Sequence, residues 1–316
     1  MKNQIYSNAR CKAMESRLIS KDKLIGLIDT YDANYALKVI KEYGIGKSDI
    51  TNPLDFEVLL SEQTQKIYKL FGELSLADDI MQYIMLPKDF TNAEIIYKSR
   101  LTGDKSLLEC ITFDGMVKVD VIKDSIKKHD YTALPKCLAD TLTMLDSQKN
   151  LTGKQISTAF KRGFYEGVKI KDKDLINIHK TKIDLINTEM CFRARSEEDF
   201  FKQRISGGTL SDDVFSALLS KDEQNIQKIC KNCYIYDEIK KILNTKSLFE
   251  IEKRIDDTPL NILNQYKYQT RDSVPSLRFI YMSLAEIINI RIVFVGIINK
   301  LKKESIKNRL RWQYEG

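Results

Sequence analysis

The 316-residue sequence holds only five prolines, thirteen glycines, two histidines and one tryptophan. So little Pro and Gly leaves few sites for the tight turns of an all-β fold, and the balance favours long helices. His129 and His179 are far apart in lysine-rich surroundings and stand beside no recognisable nucleophile motif, so they read as solvated side chains rather than catalytic bases. Six scattered cysteines (Cys11, Cys110, Cys137, Cys191, Cys230, Cys233) sit in a chain large enough to bury a core without staples, and free thiols are expected rather than disulfides. The opening MKNQIYSNAR carries charges and amides where a secretory leader has its apolar core, so a cytosolic protein is expected.

An uninterrupted membrane-spanning run is also missing. The stretch IYMSLAEIINIRIVFVGIINKL at 280–301 comes nearest, but a span needs about 20 consecutive apolar residues, and Asn289, Arg291 and Gly296 interrupt this one. It reads as a helix buried in protein, with no transmembrane segment. A charged side chain there must find a partner, because uncompensated desolvation costs several kcal/mol.

Apolar residues make up 43% of the chain and charged residues 30%, a soluble composition with length for two or three domains. The net charge of +7 is spread among interspersed acids, unlike the basic stripe that tracks a phosphate backbone, so nucleic acid is not indicated. Helical periodicity dominates: Ile67, Leu70, Phe71 and Leu74 share one face, as do Leu138, Leu142 and Leu145 and then Leu248, Ile251 and Ile255. No convincing alternating strand appears. Breaks fall at 47–53, at 101–105, at Gly207–Gly208 and at Asp256–Asp257–Thr258–Pro259, which reads as a turn.

The strongest signal is an internal repeat. Asp89, Asn92, Ile95, Tyr97 and Arg100 align without gaps on Asp184, Asn187, Met190, Phe192 and Arg195. A third copy runs Glu286, Asn289, Ile292, Phe294, with its basic residue moved to Arg291. Gly115, Val117, Asp120 and Ile122 match Gly208, Leu210, Asp213 and Phe215, with Asn299, Leu301, Glu304 and Ile306 as a looser version. A fourth, degenerate trace, Asn8-Ala-Arg10 followed by ISKDKLIGLI, stands near the N-terminus, as if the unit were cut within itself. Each copy reads as a buried helix, a short loop and the start of another helix, which divides the chain into helical domains 1–113, 114–207 and 208–316.

At 100° per residue, offsets 0, 3 and 11 lie within about 60° of one face, so Asp89, Asn92 and Arg100 are expected to meet one another or a common cavity. Two readings stay open: the acids and amides fix neighbouring elements while the arginines neutralise the acids, or the three clusters line a shared concave surface. Arg291 projects about 200° from Asn289 and must pair across to another helix or reach a cavity wall.

These motifs, in this order, resemble the C-type stalk component of the prokaryotic V/A-type rotary ATPase, the relative of the d-type component of the eukaryotic vacuolar ATPase. Tyr6, Ala9, Arg10, Glu15 and Leu18 are similar to that family's opening, Asp89-x-x-Asn92 and Asp184-x-x-Asn187 to its internal signature, and Glu286-Ile-Ile-Asn289-Ile-Arg291 to its C-terminal motif. Asn299 stands where the family usually has glycine. The resemblance implies an all-α funnel of three homologous helical bundles with pseudo-threefold symmetry and no catalysis or cofactor of its own. It also implies a cytoplasmic position, peripheral to the membrane, between the central-shaft subunits of D and F type and the membrane rotor ring.

Rival motifs are weaker. Gly44-Ile-Gly46-Lys47-Ser48 ends like a phosphate loop but lacks the first glycine and a preceding strand, and reads as a helix-ending turn. Cys230-x-x-Cys233 has metal or redox spacing without a second pair, and reads as a chance pairing on a helix. An all-α metal-dependent hydrolase using Asp89, Asp184 and Glu286 is the enzyme alternative; a helical scaffold is the other, although a period near 95 exceeds solenoid repeats.

Overall fold

The computed structural model describes residues 2–74, 76–245, 247–269, 273–312 and 314–315. Among them the chain is all-α. It runs through α1 (Lys2–Glu15), α2 (Lys21–Thr30), α3 (Ala33–Glu42), α4 (Phe56–Glu73), α5 (Asp78–Thr102), α6 (Val119–Lys128), α7 (Lys136–Asp146) and α8 (Gly153–Gly167). It continues through α9 (Lys173–Arg193), α10 (Glu197–Gln203), α11 (Asp212–Ser220), α12 (Glu223–Cys230), α13 (Tyr236–Thr245), α14 (Phe249–Leu263), α15 (Val274–Ile298) and α16 (Lys303–Arg309). Short 3₁₀ turns cover Pro53–Asp55, Lys105–Cys110 and Asn264–Tyr266. A lone bridge between Ser20 and Tyr314 is the β pairing among the described residues.

Polar side chains punctuate these helices. Asp32, Thr152, Asp172, Ser196 and Asp222 each accept a backbone N–H from the first turn of the helix they precede, satisfying donors that a helix start leaves orphaned. The apolar stripes face inward: Ile67, Leu70 and Phe71 on α4 and Leu138, Leu142 and Leu145 on α7 are buried.

The turn expected at Asp256–Pro259 is helical instead, lying inside α14. Proline removes the helical N–H that would reach Ile255 O, and next to it the Thr258 hydroxyl donates to Arg254 O at 2.6 Å. Both acids there serve tertiary contacts: Asp257 accepts the Trp312 N–H at 2.6 Å and Asp256 pairs with Arg311 at 2.7 Å.

The chain divides into two compact units, one formed by Met1–Ala77 with Lys253–Gly316 and the other by Asp78–Glu252. In the first, α15 is the central element, packed by α1, α2, α3, α4 and α16. By length and composition it could cross a membrane, yet 67% of its most apolar window is buried in protein. Phe56 stacks on Phe294 at 4.8 Å, joining α4 to α15. Gly296 lets α16 approach, since a Cβ there would lie 2.6 Å from Ile306. In the second unit α5 packs on α6 and α8, α7 on α8, and α9 on α11.

A charge lies deep in the first unit. Arg278 of α15 is 2% exposed, and its Nη1 is 3.0 Å from Glu15 Oε1 of α1, beside the Trp312 ring. Lys12 supports the same carboxylate at 3.2 Å. Removing one partner of a buried pair strands the other. Arg278→Ala is therefore expected to lower unfolding stability by about 3 kcal/mol, read as a shift of the urea midpoint; a loss below about 0.5 kcal/mol would show that the pair does not hold α1 to α15.

Candidate functional site

The repeated acid and amide form the same construction three times. On α5, Asp89 is fully buried and accepts the N–H groups of Met116 at 3.0 Å and Val117 at 3.2 Å. One turn on, Asn92 accepts from Thr112 N at 3.0 Å and donates to Phe113 O at 3.1 Å. On α9, Asp184 accepts from Thr209 N, Leu210 N, the Thr209 hydroxyl and the Tyr234 hydroxyl. Asn187 accepts from Ile205 N at 2.9 Å and donates to Ile205 O at 2.8 Å. On α15, Glu286 accepts from Ile19 N at 2.7 Å, while Asn289 accepts from Arg311 N at 2.7 Å and donates to Trp312 O at 3.1 Å.

Spacing three along a helix puts acid and amide on one face, so Asp89 with Asn92 and Asp184 with Asn187 each grip one backbone segment at two points, while Glu286 and Asn289 grip two segments, one from each end of the chain. A short helical element ends two residues before each amide-bound residue: the Lys105–Cys110 turn before Thr112, α10 before Ile205 and α16 before Arg311. Two residues after the acid-bound residue another helix starts: α6 after Val117, α11 after Leu210 and α2 after Ile19. Those three helices end alike, on left-handed residues His129, Lys221 and Tyr31 at φ of 54°, 56° and 57°.

The loose sequence match at Asn299–Ile306 is therefore not the third counterpart. Its place is taken by Ile19 in the N-terminal trace ISKDKLIGLI, which supplies the missing part of the third unit from the other end of the chain. Lys21 N also donates to Tyr314 O at 2.7 Å, so the two terminal segments are joined directly.

The glycines follow from the clamp. A Cβ at Gly115 would lie 2.3 Å from Asp89 Oδ1, and one at Gly208 2.1 Å from Asp184 Oδ1. The third unit carries Arg17 at the corresponding position, together with the longer Glu286.

The arginines do not join their acids. Arg100 lies about 16 Å along the helix axis from Asp89, beyond contact. It donates instead to Ile126 O at 2.7 Å and to Asp146 at 2.8 Å, with its guanidinium over the Tyr97 ring. Asp146 also accepts from His129, Tyr131 and Tyr97. Burial opposes its charge, yet these donors hold its carboxyl down to about 2. Arg195 falls beyond the end of α9 and is exposed; Arg193 makes the ion pairs there, with Glu189 and Glu252. Arg291 pairs across to another helix, two-pronged with Glu57 of α4 at 2.7 and 2.9 Å, both side chains about half exposed.

Other motifs resolve into structure. The Lys47 and Ser48 N–H groups, which a phosphate would need, donate to Glu62. Gly44 and Gly46 adopt φ of 73° where the chain leaves α3, and a Cβ at Gly46 would strike Leu59 at 2.6 Å. His179 is not solvated: its Nε2 lies 2.9 Å from Tyr165 O and its ring stacks on Tyr165. Among the described residues no group of three His, Cys, Asp or Glu could hold a metal ion. The sequence reading missed Arg278, because its partner Glu15 is remote in sequence and no spacing links them.

Burial pushes Asp89 up to about 6 and Glu286 up to about 7, in Glu286 against the pull of the Ile19 N–H and Lys66. A carboxyl raised in the folded state gives stability that is complete below its unfolded value and lost as pH rises through the folded one. The shift of Glu286 from 4.5 to about 7 corresponds to about 3 kcal/mol. Glu286→Gln, whose amide oxygen can still accept from Ile19, is expected to gain on the parent by about that amount between pH 5 and pH 8. Glu286→Ala should cost about 1–3 kcal/mol at pH 6. Parallel denaturation curves across pH check both; a variant–parent difference that stays constant with pH would remove Glu286 as the titrating group. Gly208→Ala is expected to cost about 1–3 kcal/mol by displacing Asp184 from its donors, measured by thermal melting against Gly26→Ala, where a Cβ meets nothing within 4 Å.

A family model described as ATP synthase (C/AC39) subunit matches residues 7–309 of the chain. Comparison with curated proteins gave no match.

Proposed function

Since the chain belongs to the ATP synthase (C/AC39) subunit family over nearly its whole length, we propose that it is a non-catalytic central-stalk subunit of a V/A-type rotary ATPase. In this reading it links the central shaft, built of D- and F-type subunits, to the membrane rotor ring. It turns with them on the cytoplasmic face and transmits torque between ATP turnover and H⁺ or Na⁺ movement.

The observation that carries the non-catalytic reading is the threefold clamp. Asp89, Asp184 and Glu286, the acids a hydrolase would need, are each engaged by backbone N–H groups of their own chain. A carboxylate held that way is a fastening, and freeing it to bind a metal ion would release the segment it holds. The phosphate-loop lookalike is likewise closed by Glu62.

The repeated construction also supports three helical domains, 1–113, 114–207 and 208–316, each ending in its long acid-bearing helix and short helix. Each clamp is then a junction to the next domain, and the Glu286–Ile19 contact returns the third to the first. This suits a funnel around a pseudo-threefold axis, stiff enough to carry torque. The half-exposed Arg291–Glu57 pair, with exposed Val58 on α4 and exposed Val295 one turn along α15, is the docking candidate for a rotor partner.

Purification of the intact membrane complex tests the reading. The chain is expected to co-purify with shaft and ring subunits, and complexes assembled without it should hydrolyse ATP without pumping ions. Its absence from the complex, or ATP hydrolysis by the isolated chain, would overturn the assignment. Arg291→Ala should change stability by less than about 1 kcal/mol, as exposed pairs do, while weakening assembly with the rotor; unchanged assembly would remove this pair as a docking element.

A further inference from the structure

The second clamp carries a group of thiols. Along α9, Cys191 follows Asp184 by seven residues, two helical turns, and so lies on the same face as Asp184 and Asn187. Cys191 and Cys230 are fully buried, and their thiols are near enough to influence each other. The pair Cys230 and Cys233 does not lie on one helix, as its spacing first suggests. Cys230 is the last residue of α12, and Cys233 closes the turn beyond it, donating its N–H to Cys230 O at 2.8 Å. A turn closed this way brings its end Cα atoms within about 7 Å, close to the 4.4–6.8 Å range a disulfide spans. The two thiols are close enough to shift each other's titration, and Cys233 is half-buried whereas Cys230 is fully buried.

We propose that Cys230 and Cys233 form a reversible dithiol–disulfide modification site, oxidised by a low-molecular-weight disulfide, with Cys233 as the entering thiol and Cys230 as the resolving one. The Cys233 thiolate attacks one sulfur of the disulfide, forming a mixed disulfide and expelling one thiolate. Cys230 then gives up its proton and attacks Cys233 Sγ, expelling the second. Two protein thiols lose two electrons, the small disulfide gains them, and the protons pass to the two released thiols. Cys191 is the spectator: it belongs to another helix, outside the turn that brings the pair together.

The location gives the modification a consequence. Tyr234, the next residue, donates to Asp184 Oδ2 at 2.9 Å, so the turn that the disulfide would tighten is the one that holds this hydroxyl on the second clamp. The reaction is slow at neutral pH, because burial raises both thiols and the Asp184 carboxylate opposes a Cys233 thiolate. Its rate should rise about tenfold per pH unit, following the thiolate fraction.

The test uses the native full-length chain with glutathione disulfide at about pH 8.5, near the ordinary thiol range, quenched in acid, alkylated under denaturing conditions and read by peptide mass. The 230–233 peptide is expected to lack the alkyl label and to be lighter by two hydrogens, while Cys191 is fully labelled. In Cys230→Ser, Cys233 should retain one glutathione. In Cys233→Ser, Cys230 should stay alkylated. If Cys230 and Cys233 of the parent are labelled as fully as Cys191 while exposed Cys110 carries glutathione, or if Cys230 is found joined to Cys191, the proposal fails. The parent chain alone decides this, whether or not the serine variants fold.

Discussion

A buried carboxylate that satisfies the backbone N–H groups of a passing segment is the contact on which this structure depends. Such a side chain cannot remain buried without donors, and an extended segment cannot cross a helix face with unpaired amides, so each removes the other's penalty. The amide one turn along adds a donor and an acceptor; on α5 and α9 it fixes the register of that same segment, and on α15 it holds a second segment from the other end of the chain. Repeated on α5, α9 and α15, this device sets where each following helix begins. It also explains the local sequence: glycine where a Cβ would strike the aspartate, and an apolar residue where the segment turns inward.

The three copies differ in how completely the acid is served. Asp184 has two backbone donors and two hydroxyls, Asp89 two backbone donors, and Glu286 the Ile19 N–H from the opposite end of the chain. That order matches their environments, since Glu286 is the acid that burial pushes up to about 7. The Arg278–Glu15 pair stands in the same unit, tying α1 to the helix that carries this least-served acid. Where the chain is closed by contact alone, further buried charge reinforces the closure.

A device that commits its acids to its own backbone is suited to holding shape. The family assignment gives that stiffness a setting in a rotary ATPase, and the Arg291–Glu57 pair stands half-exposed at the surface. The clamp face and the docking candidate are thus different faces of the same long helix, because residues two apart on a helix point about 200° apart.

Much of this was written in the sequence. The all-α class followed from scarce Pro and Gly and from stripes such as Leu138, Leu142 and Leu145, because helical period is a local property. The Asp-x-x-Asn repeat was legible because one helical turn is short enough to read as spacing. What lay beyond that range was not. Arg100 shares a face with Asp89, but sharing a face says nothing about the separation along the axis, and only packing showed that its partner is Asp146. Asp256–Pro259 has the composition of a turn, and tertiary contacts to Arg311 and Trp312 accompany its place in a helix. The joining of Ile19 to Glu286, and of Glu15 to Arg278, links residues more than 260 positions apart. The sequence determined which residues had to be buried in company; the folded chain decided which company, because a partner that distant is chosen by three-dimensional packing and leaves no period to read.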